Sequence, residues 1–354
     1  NSEEQAVIGQ IERFSSEVLT PAAAAIDAKG QFATLHRAAL AEMGIMGMNL
    51  PETYGGIGLS GPTLYGAVEA IAGACGSTAS MLTAHFLATD SLLLGGDEAL
   101  KQRFLPVAAA GEALGAFALT EPMAGSNPAD MRSTATRNGD GYRLKGSKCF
   151  ISNAGAADFI VVYAKTDSTA GARGVSAFVV EPAKTAGVDI GKHEETMGLR
   201  GGHVFPISFD CHVPAENRLG DEGTGFLTAM KVLDNGRIEV AAQATGIARA
   251  ALDAAVSYAK EREVGGRPIG NFQGLQWMLA DSAIELAAAR ALGLQAARKR
   301  GTGERYSSES AFAKLFASEA AWRIADRALQ IHGGYGYTCE SACEIDPLGW
   351  VMSE

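Results

Sequence analysis

The chain has few cysteines, and none of them stand in pairs that would hold a metal. Its 354 residues include five: Cys75, Cys149, Cys211, Cys339 and Cys343. Cys339 and Cys343 have the i, i+4 spacing of one helix face, but no histidine accompanies them. We therefore expect no zinc site and no disulfide framework, and we expect a reducing compartment.

Long apolar runs and an excess of positive charge are also lacking. The longest apolar stretches, such as residues 159–164, have the length of a strand and fall far short of a membrane span. The net charge is −10, whereas nucleic-acid-binding proteins usually carry a basic excess. With 47% hydrophobic residues to form a core, the composition predicts a soluble globular protein that binds neither a membrane nor a nucleic acid.

Several common catalytic motifs are missing as well. The sequence Gly223-Thr-Gly225 lacks the third glycine and the preceding strand of a dinucleotide-binding fingerprint. The chain contains no P-loop, no His-Glu-x-x-His and no Gly-x-Ser-x-Gly. Nicotinamide binding, nucleotide hydrolysis, zinc catalysis and serine hydrolysis therefore lack their usual support.

Three regions of different pattern follow one another along the chain. Residues 3–114 show helical periodicity, including 35–46 and 84–94, with a Gly- and Pro-rich loop at 51–61. Short β-branched and aromatic runs follow, with a hairpin signal at 138–141 and a proline, Pro206, that indicates an edge or bulge position. Ala- and Leu-rich segments at 229–260, 275–299 and 309–331 then predict long antiparallel helices. We predict an α+β fold, mostly α: an N-terminal helical domain (1–115), a middle β-barrel-like domain (116–222) and a C-terminal helical bundle (223–354).

Two segments in the middle region combine apolar residues, hydroxyl side chains and a glycine turn. In residues 117–126, Leu119 and Thr120 leave backbone groups free at a strand end, and the turn at Gly125 lets the backbone approach a phosphate closely. In residues 148–155, Phe150 and Ser152 stand two apart, so on a regular strand they face one side. An aromatic ring and a hydroxyl on one side suit a flavin, which is a planar electron acceptor.

These segments, with residues 210–217, Arg262 and the run Gln330-Ile-His-Gly-Gly-Tyr-Gly336, resemble the acyl-CoA dehydrogenase family. The resemblance implies FAD as cofactor. It also implies that Arg262 and Gln273 reach the FAD of a neighbouring subunit, and hence a homotetramer. The cofactor-binding residues that it implies are Phe117, Leu119, Thr120, Gly125, Ser126, Phe150, Ser152, Arg262, Gln273, Gln330, Gly333 and Gly334.

The resemblance further implies an acyl-CoA substrate and α,β-dehydrogenation to a 2-enoyl-CoA. Asp234 would bind the pantetheine part, and Arg237 and Ser126 would help to position the thioester. Electrons would pass to an electron-transfer flavoprotein. A cytoplasmic location is expected, or the mitochondrial matrix if a leader preceded Asn1.

The family's catalytic glutamate has no match in the chain. Counting on from Gly334, its position falls just beyond Glu354, which leaves Glu354 as a weak candidate. Gly236 stands where isovaleryl-CoA dehydrogenases place an alternative glutamate. Two other functions therefore stay open: a catalytically impaired acyl-CoA dehydrogenase-like binding protein, or a flavin monooxygenase or desulfinase of the same fold, which would not need this base.

Overall fold

The computed structural model describes residues 2–338, and the first part of this range is helical. Helix α4 begins where the Ser60 hydroxyl accepts a hydrogen bond from the Thr63 amide, and α6 begins where Asp97 accepts one from the Leu100 amide at 2.9 Å. The helices are α1 (Ser2–Phe14), α2 (Thr20–Lys29), α3 (Arg37–Glu42), α4 (Gly61–Ala74), α5 (Gly76–Gly95) and α6 (Glu98–Ala109), with a π-helical turn at Ser15–Leu19 between α1 and α2.

Two predicted helices differ from those observed. The helix predicted at 35–46 is wrong in extent, because Gly44 has a φ of 69° and α3 ends before it. The helix predicted at 84–94 begins eight residues earlier, at Gly76. Its first turns contain Ser77 and Thr78, which look like surface residues in the sequence but are buried. The Thr78 hydroxyl lies 2.9 Å from His36 Nδ1, and the Ser77 hydroxyl accepts a hydrogen bond from the Gly201 amide at 3.2 Å, so only tertiary packing explains their burial.

The middle part of the chain is one eight-stranded mixed sheet. Its strand order is β6-β7-β3-β2-β4-β5-β8, and β1 pairs with β4 in parallel. The predicted hairpin joins β2 and β3, with Gly139 at a φ of 60° in its two-residue turn. The strands are β1 (Gly115–Ala118), β2 (Thr134–Asn138), β3 (Gly141–Ser152), β4 (Phe159–Lys165), β5 (Val175–Val180), β6 (Val188–Ile190), β7 (Val204–Pro214) and β8 (Arg218–Leu219).

Pro206 lies inside the sheet at a bulge, and not at an edge. Strand β7 pairs with β6 on one side and with β3 on the other. Lys148 pairs with Ile207 and Ile151 with Phe205, so two residues of β3 stand opposite Pro206. Since proline has no N–H to donate, the bulge absorbs the missing ladder hydrogen bond.

The last part of the chain is a bundle of α7 (Gly225–Glu261), α8 (Gln273–Arg300) and α9 (Ser307–His332). A short hairpin of β9 (Glu263–Val264) and β10 (Arg267–Pro268) joins α7 to α8. Helix α4 packs closely on α7, since a Cβ on Gly246 would lie 2.2 Å from the carbonyl oxygen of Glu69. One hydrophobic core therefore runs from the N-terminal helices into the bundle. The predicted fold class, helical then β then helical, is confirmed.

Two features of residues 2–338 bear on binding partners. None of the helices in this range is both long and apolar enough to cross a bilayer. The same range holds no cluster of three or more His, Cys, Asp or Glu side chains that could ligate a metal. Cys339 and Cys343 lie outside the described residues.

Candidate functional site

A cavity of about 420 Å³ lies between the sheet and helices α5 and α7, and we call it the central cavity. Both segments singled out in the sequence line it, although Ser126 and Phe150 are 24 positions apart along the chain. The predicted residues in its wall are Phe117, Leu119, Thr120, Gly125, Ser126, Phe150, Ser152 and Arg237.

A buried ion pair holds the two segments together. Lys148, fully buried, donates to the Glu121 carboxylate at 2.8 Å and to the Leu119 carbonyl at 3.0 Å. Glu121 also accepts hydrogen bonds from the backbone amides of Arg132 and Ser133, at 2.6 and 3.0 Å. The same clamp therefore fixes the strand end at Leu119 and the start of the second segment.

Burial acts on both members of this pair. It opposes ionisation of Glu121, but the Lys148 charge and the Arg132 amide outweigh it, so the pKa of Glu121 lies below its ordinary value. Burial lowers the pKa of Lys148, against the attraction of Glu121. Sequence reasoning quoted both residues without giving them a role, because nothing in a sequence shows that a lysine and a glutamate 27 positions apart will be buried together.

Phe150 has an unusual backbone conformation at the cavity. Its φ is 58°, in the left-handed region that bulky residues rarely adopt, and its side chain is 64% exposed. The bulge opposite Pro206 produces this conformation, so the simple alternation expected for Phe150 and Ser152 does not apply; both still line the cavity. Strain of this kind is found at ligand-binding sites, where surrounding structure holds it in place.

The opposite wall of the central cavity is apolar and comes from two helices. Ala84 and Leu87 of α5 form it together with Met230 and Leu233 of α7. A Cβ on Gly236 would lie 2.6 Å from the Leu87 side chain, so the bare glycine gives Leu87 its room. Sequence reasoning missed these four wall residues, because apolar residues at helical spacing look the same whether they line a core or a cavity.

Asp234 and Arg237 form an ion pair on one face of α7, as their i, i+3 spacing predicts. The Arg237 guanidinium donates to the Asp234 carboxylate at 2.6 Å. Asp234 also accepts from the Ser307 hydroxyl, at the start of α9, at 2.5 Å. Arg237 lines the central cavity. Asp234 does not line it, but its ion pair with Arg237 fixes the position of the guanidinium.

A second group of buried charges lies one helical turn beyond Leu87 and Gly236. Arg300 is 3.5 Å from Asp90 and 3.3 Å from Glu239. The Asn235 amide donates to Asp90 at 2.6 Å. Burial and the neighbouring Asp90 charge raise the pKa of Glu239 to about 8, although Arg300 opposes this. One guanidinium thus serves two carboxyl groups.

A second cavity, of about 470 Å³, lies at the far end of the bundle, and we call it the bundle-end cavity. Arg262 lines it together with Gly333 and Gly334, which were predicted to share a cofactor. The Arg262 guanidinium is exposed and lies 6.0 Å from the Tyr335 ring. Tyr258 and His332, which the sequence did not single out, stack on each other in its wall at 4.5 Å.

The two cavities are far apart within one chain. Arg237 and Arg262 stand 25 residues apart on or just after α7, which corresponds to about 38 Å along a helix. Gln273 begins α8 and Gln330 lies in the last turn of α9; both are exposed, and neither lines a cavity described above. A single chain therefore does not bring the two sets of predicted cofactor residues together.

Gly265 has a local reason for being glycine. Gly265 and Gly266 form the turn between β9 and β10, with φ values of 63° and 75°. Two successive positive φ angles favour glycine at both positions. A bulky side chain at position 265 would be strained in this turn.

The weak catalytic candidate, Glu354, lies outside the described residues. The alternative position, Gly236, carries no side chain that could act as a base.

A helical, β and helical chain with a cavity between its sheet and bundle defines a fold that flavin-dependent dehydrogenases use. Three family models match almost the whole chain: the N-terminal domain of acyl-CoA dehydrogenase at residues 1–112, the middle domain at 116–211 and the C-terminal domain at 223–345. The chain therefore belongs to the acyl-CoA dehydrogenase family.

Individual relatives agree with this assignment. Acryloyl-CoA reductase (NADH) from Anaerotignum propionicum is 43% identical, over 94% of this chain and 86% of its own length. A short-chain specific acyl-CoA dehydrogenase from Clostridium acetobutylicum is 40% identical, over 95% and 89%. The structure of butyryl-CoA dehydrogenase from Megasphaera elsdenii superimposes with a TM-score of 0.95 at 39% identity, covering 99% of this chain and 94% of that one.

These relatives decide between the functions that the sequence left open. They favour acyl-CoA dehydrogenation over a flavin monooxygenase or desulfinase of the same fold, and over a catalytically impaired binding protein. They also show that the chain is related to enzymes over nearly its whole length.

Proposed function

We propose that this protein is an FAD-dependent dehydrogenase of short-chain acyl-CoA thioesters. The observation that carries the proposal is the central cavity, where both flavin-type segments meet Arg237 and an apolar wall. Relatives named short-chain specific acyl-CoA dehydrogenase and butyryl-CoA dehydrogenase support the choice of substrate length.

The residues present fit a flavin. The chain leaves strand β1 at Ala118, and Leu119 and Thr120 follow at the cavity wall. Their carbonyl groups already accept from Lys148 and from the Cys149 amide, so their backbone N–H groups are what they would offer a ligand. A Cβ built on Gly125 meets no atom within 4 Å, which leaves room for a ligand to approach the backbone. Phe150 offers an exposed ring and Ser152 a hydroxyl. When bound, FAD supplies a two-electron acceptor for the hydride of the substrate.

The chain's own groups would orient the thioester. Arg237 presents its guanidinium to the cavity, and Asp234 and Ser307 hold it there. The Ser126 hydroxyl lies at the same wall. Leu87, seated on Gly236, limits the apolar space at the helix side, which suits a short acyl chain.

We infer that the functional unit contains several copies of the chain. Arg262, Gly333 and Gly334 are too far from the central cavity to serve its cofactor within one chain, so they would serve that of a neighbour. Large apolar side chains on the outer faces of α8 and α9 also support an assembly. They are Trp277, Ile284, Phe312, Leu315 and Trp322. A homotetramer, electron transfer to an electron-transfer flavoprotein and a cytoplasmic location remain the predictions of the resemblance.

The test is to mix the purified intact protein with butyryl-CoA under anaerobic conditions and follow flavin absorbance. We expect the protein to be yellow and its flavin to be bleached. Ser152→Ala should slow bleaching, because a hydroxyl in the cavity wall is lost, whereas Ser147→Ala, at an exposed position of the same strand, should not. A protein that stays colourless with excess FAD would refute the cofactor; bleaching by octanoyl-CoA alone would refute the short chain.

A further inference from the structure

A third cleft, of about 330 Å³, lies between the N-terminal helices and helices α4 and α7. It is separate from the central cavity, because Arg249 in its wall stands 12 residues beyond Arg237 on α7, or about 18 Å along the helix axis. Polar residues line it, among them Glu12, Ser15 and Arg249, together with the small residues Ala70, Gly73 and Ala74 of α4. We call it the N-terminal cleft.

Ser15 presents a buried hydroxyl to this cleft without using it. The residue is 3% exposed, and its Oγ has no hydrogen-bond partner within residues 2–338. It begins the π-helical turn Ser15–Leu19, and Thr20 donates back to the Ser15 carbonyl at 3.2 Å. Buried hydroxyl groups normally have a partner, so an orphan at a cavity wall points to a bound group. Single π-helical turns also occur often at functional sites.

Arg249 is held in place while part of its guanidinium remains without a hydrogen bond. Its buried Nε has no hydrogen-bond partner in the described part of the chain and lies 3.7 Å from the Glu69 carboxylate. Glu69 is already bound by Arg290, whose Nε lies 3.2 Å from both carboxylate oxygens. The Arg249 Nη2 rests against Gly73, where a Cβ would come within 2.8 Å of it. The absence of a side chain at Gly73 therefore leaves space for the Arg249 guanidinium.

The chemistry of the wall selects a class of ligand. A guanidinium binds carboxylates and phosphates in a planar, two-point fashion. Glu12 on the same wall disfavours a second negative charge on the ligand, which argues against phosphate. Ala70, Gly73 and Ala74 leave an apolar surface for a short hydrocarbon chain. We propose that the N-terminal cleft binds a short-chain aliphatic monocarboxylate, with its carboxylate between Arg249 and Ser15.

This proposal goes beyond the dehydrogenase function and does not depend on it. Its test is calorimetric titration of the intact protein with sodium butyrate, compared with sodium phosphate and with butylammonium chloride. We expect saturable binding of one butyrate per chain, weaker binding of phosphate, and no binding of butylammonium. Phosphate binding tighter than butyrate, or no butyrate binding, would overturn the proposal.

Variants then locate the site. Arg249→Gln should weaken butyrate binding at least about tenfold, because a charge-assisted hydrogen bond is lost, while Arg13→Gln, at an exposed position of α1, should not. Ala74→Leu fills the cleft without removing a polar group, so it should also abolish binding, and it decides the question if Arg249→Gln fails to fold. Arg237→Gln should bind butyrate normally. Loss of binding in Arg237→Gln, with retention in Ala74→Leu, would place butyrate in the central cavity and refute the N-terminal cleft.

Discussion

Seven of the predicted cofactor residues line the central cavity and three line the bundle-end cavity, and the two cavities are built in opposite ways. Behind the central cavity, Lys148 and Glu121 are buried as an ion pair and tie its two segments together. At the bundle-end cavity the charged residue is Arg262, which is exposed, near Gly333, whose φ is 60°. The residues of the central cavity are held in place within one chain. The bundle-end cavity instead offers hydrogen-bond donors to a ligand whose other contacts, as proposed above, come from a neighbouring copy of the chain.

This difference shows which interactions fix the positions of the residues at each cavity. A buried ion pair must be satisfied by the fold itself, since an unpaired buried charge is strongly destabilising. An exposed arginine costs little to leave in solvent, so its position can be set later by an assembled neighbour. The central cavity should therefore respond to mutation through stability, and the bundle-end cavity through cofactor affinity and assembly.

The largest effect is expected from breaking the buried pair. Lys148→Met leaves Glu121 buried without its cation, which should lower the free energy of unfolding by about 3–5 kcal/mol. Urea unfolding of the flavin-free protein measures this. The exposed Lys145→Met on the same strand is the control and should change little. Restoring stability in the double variant Lys148→Met, Glu121→Gln would confirm the cause; a single variant as stable as the control would contradict it.

A smaller effect is expected at the bundle end, and on a different quantity. Arg262→Ala should weaken FAD binding by about 1.5–3 kcal/mol, the range for a charge-assisted hydrogen bond, with little change in unfolding. Arg267→Ala is the matched control. Arg267 lies in the adjoining hairpin and does not line the bundle-end cavity; its guanidinium lies 4.4 Å from the ring centre of Phe272. Equal FAD retention by the two variants in equilibrium dialysis would contradict a role for Arg262 in FAD binding, and with it the proposed difference between the cavities.

The charges behind the helical wall predict a pH dependence. The pKa of Glu239 is raised in the folded protein, so the folded state keeps a proton that the unfolded state releases above about pH 4.5. Glu239 should therefore make stability fall as pH rises from 4.5 towards 8, by at least about 1.4 kcal/mol, the equivalent of one pKa unit. Glu239→Gln should remove that slope from urea midpoints measured across this range; an unchanged slope would show that Asp90 and Arg300 leave Glu239 unperturbed.

The smallest effect concerns the strained backbone of Phe150. Phe150→Gly relieves the left-handed conformation, whereas Phe150→Ala keeps it, and both remove the ring. The glycine variant should be more stable than the alanine variant by about 1 kcal/mol in the flavin-free protein. Both should bind FAD more weakly than the wild type. An alanine variant at least as stable as the glycine variant would show that the backbone is not strained.

Sequence reasoning reached the fold class and one wall of the central cavity. Helical periodicity, the hairpin turn at Gly139 and the two flavin-type segments are local signals, and each can be recognised without knowing the fold. The long helix α5 was underestimated because Ser77 and Thr78 are polar residues buried by distant neighbours. The opposite wall, with Leu87 and Met230, was missed because its residues look like ordinary core residues.

Local signals were enough to predict the order of helical and β regions, the chemical character of the two segments, and the family to which they point. Only the tertiary structure decided that Lys148 and Glu121 pair, that Phe150 sits on a bulge, and that Arg262 lies far from the central cavity in its own chain. The difference lies in how far apart the interacting residues are along the chain. Turns, caps and periodicity depend on residues a few positions apart, whereas buried pairs and cavities depend on segments that only packing brings together.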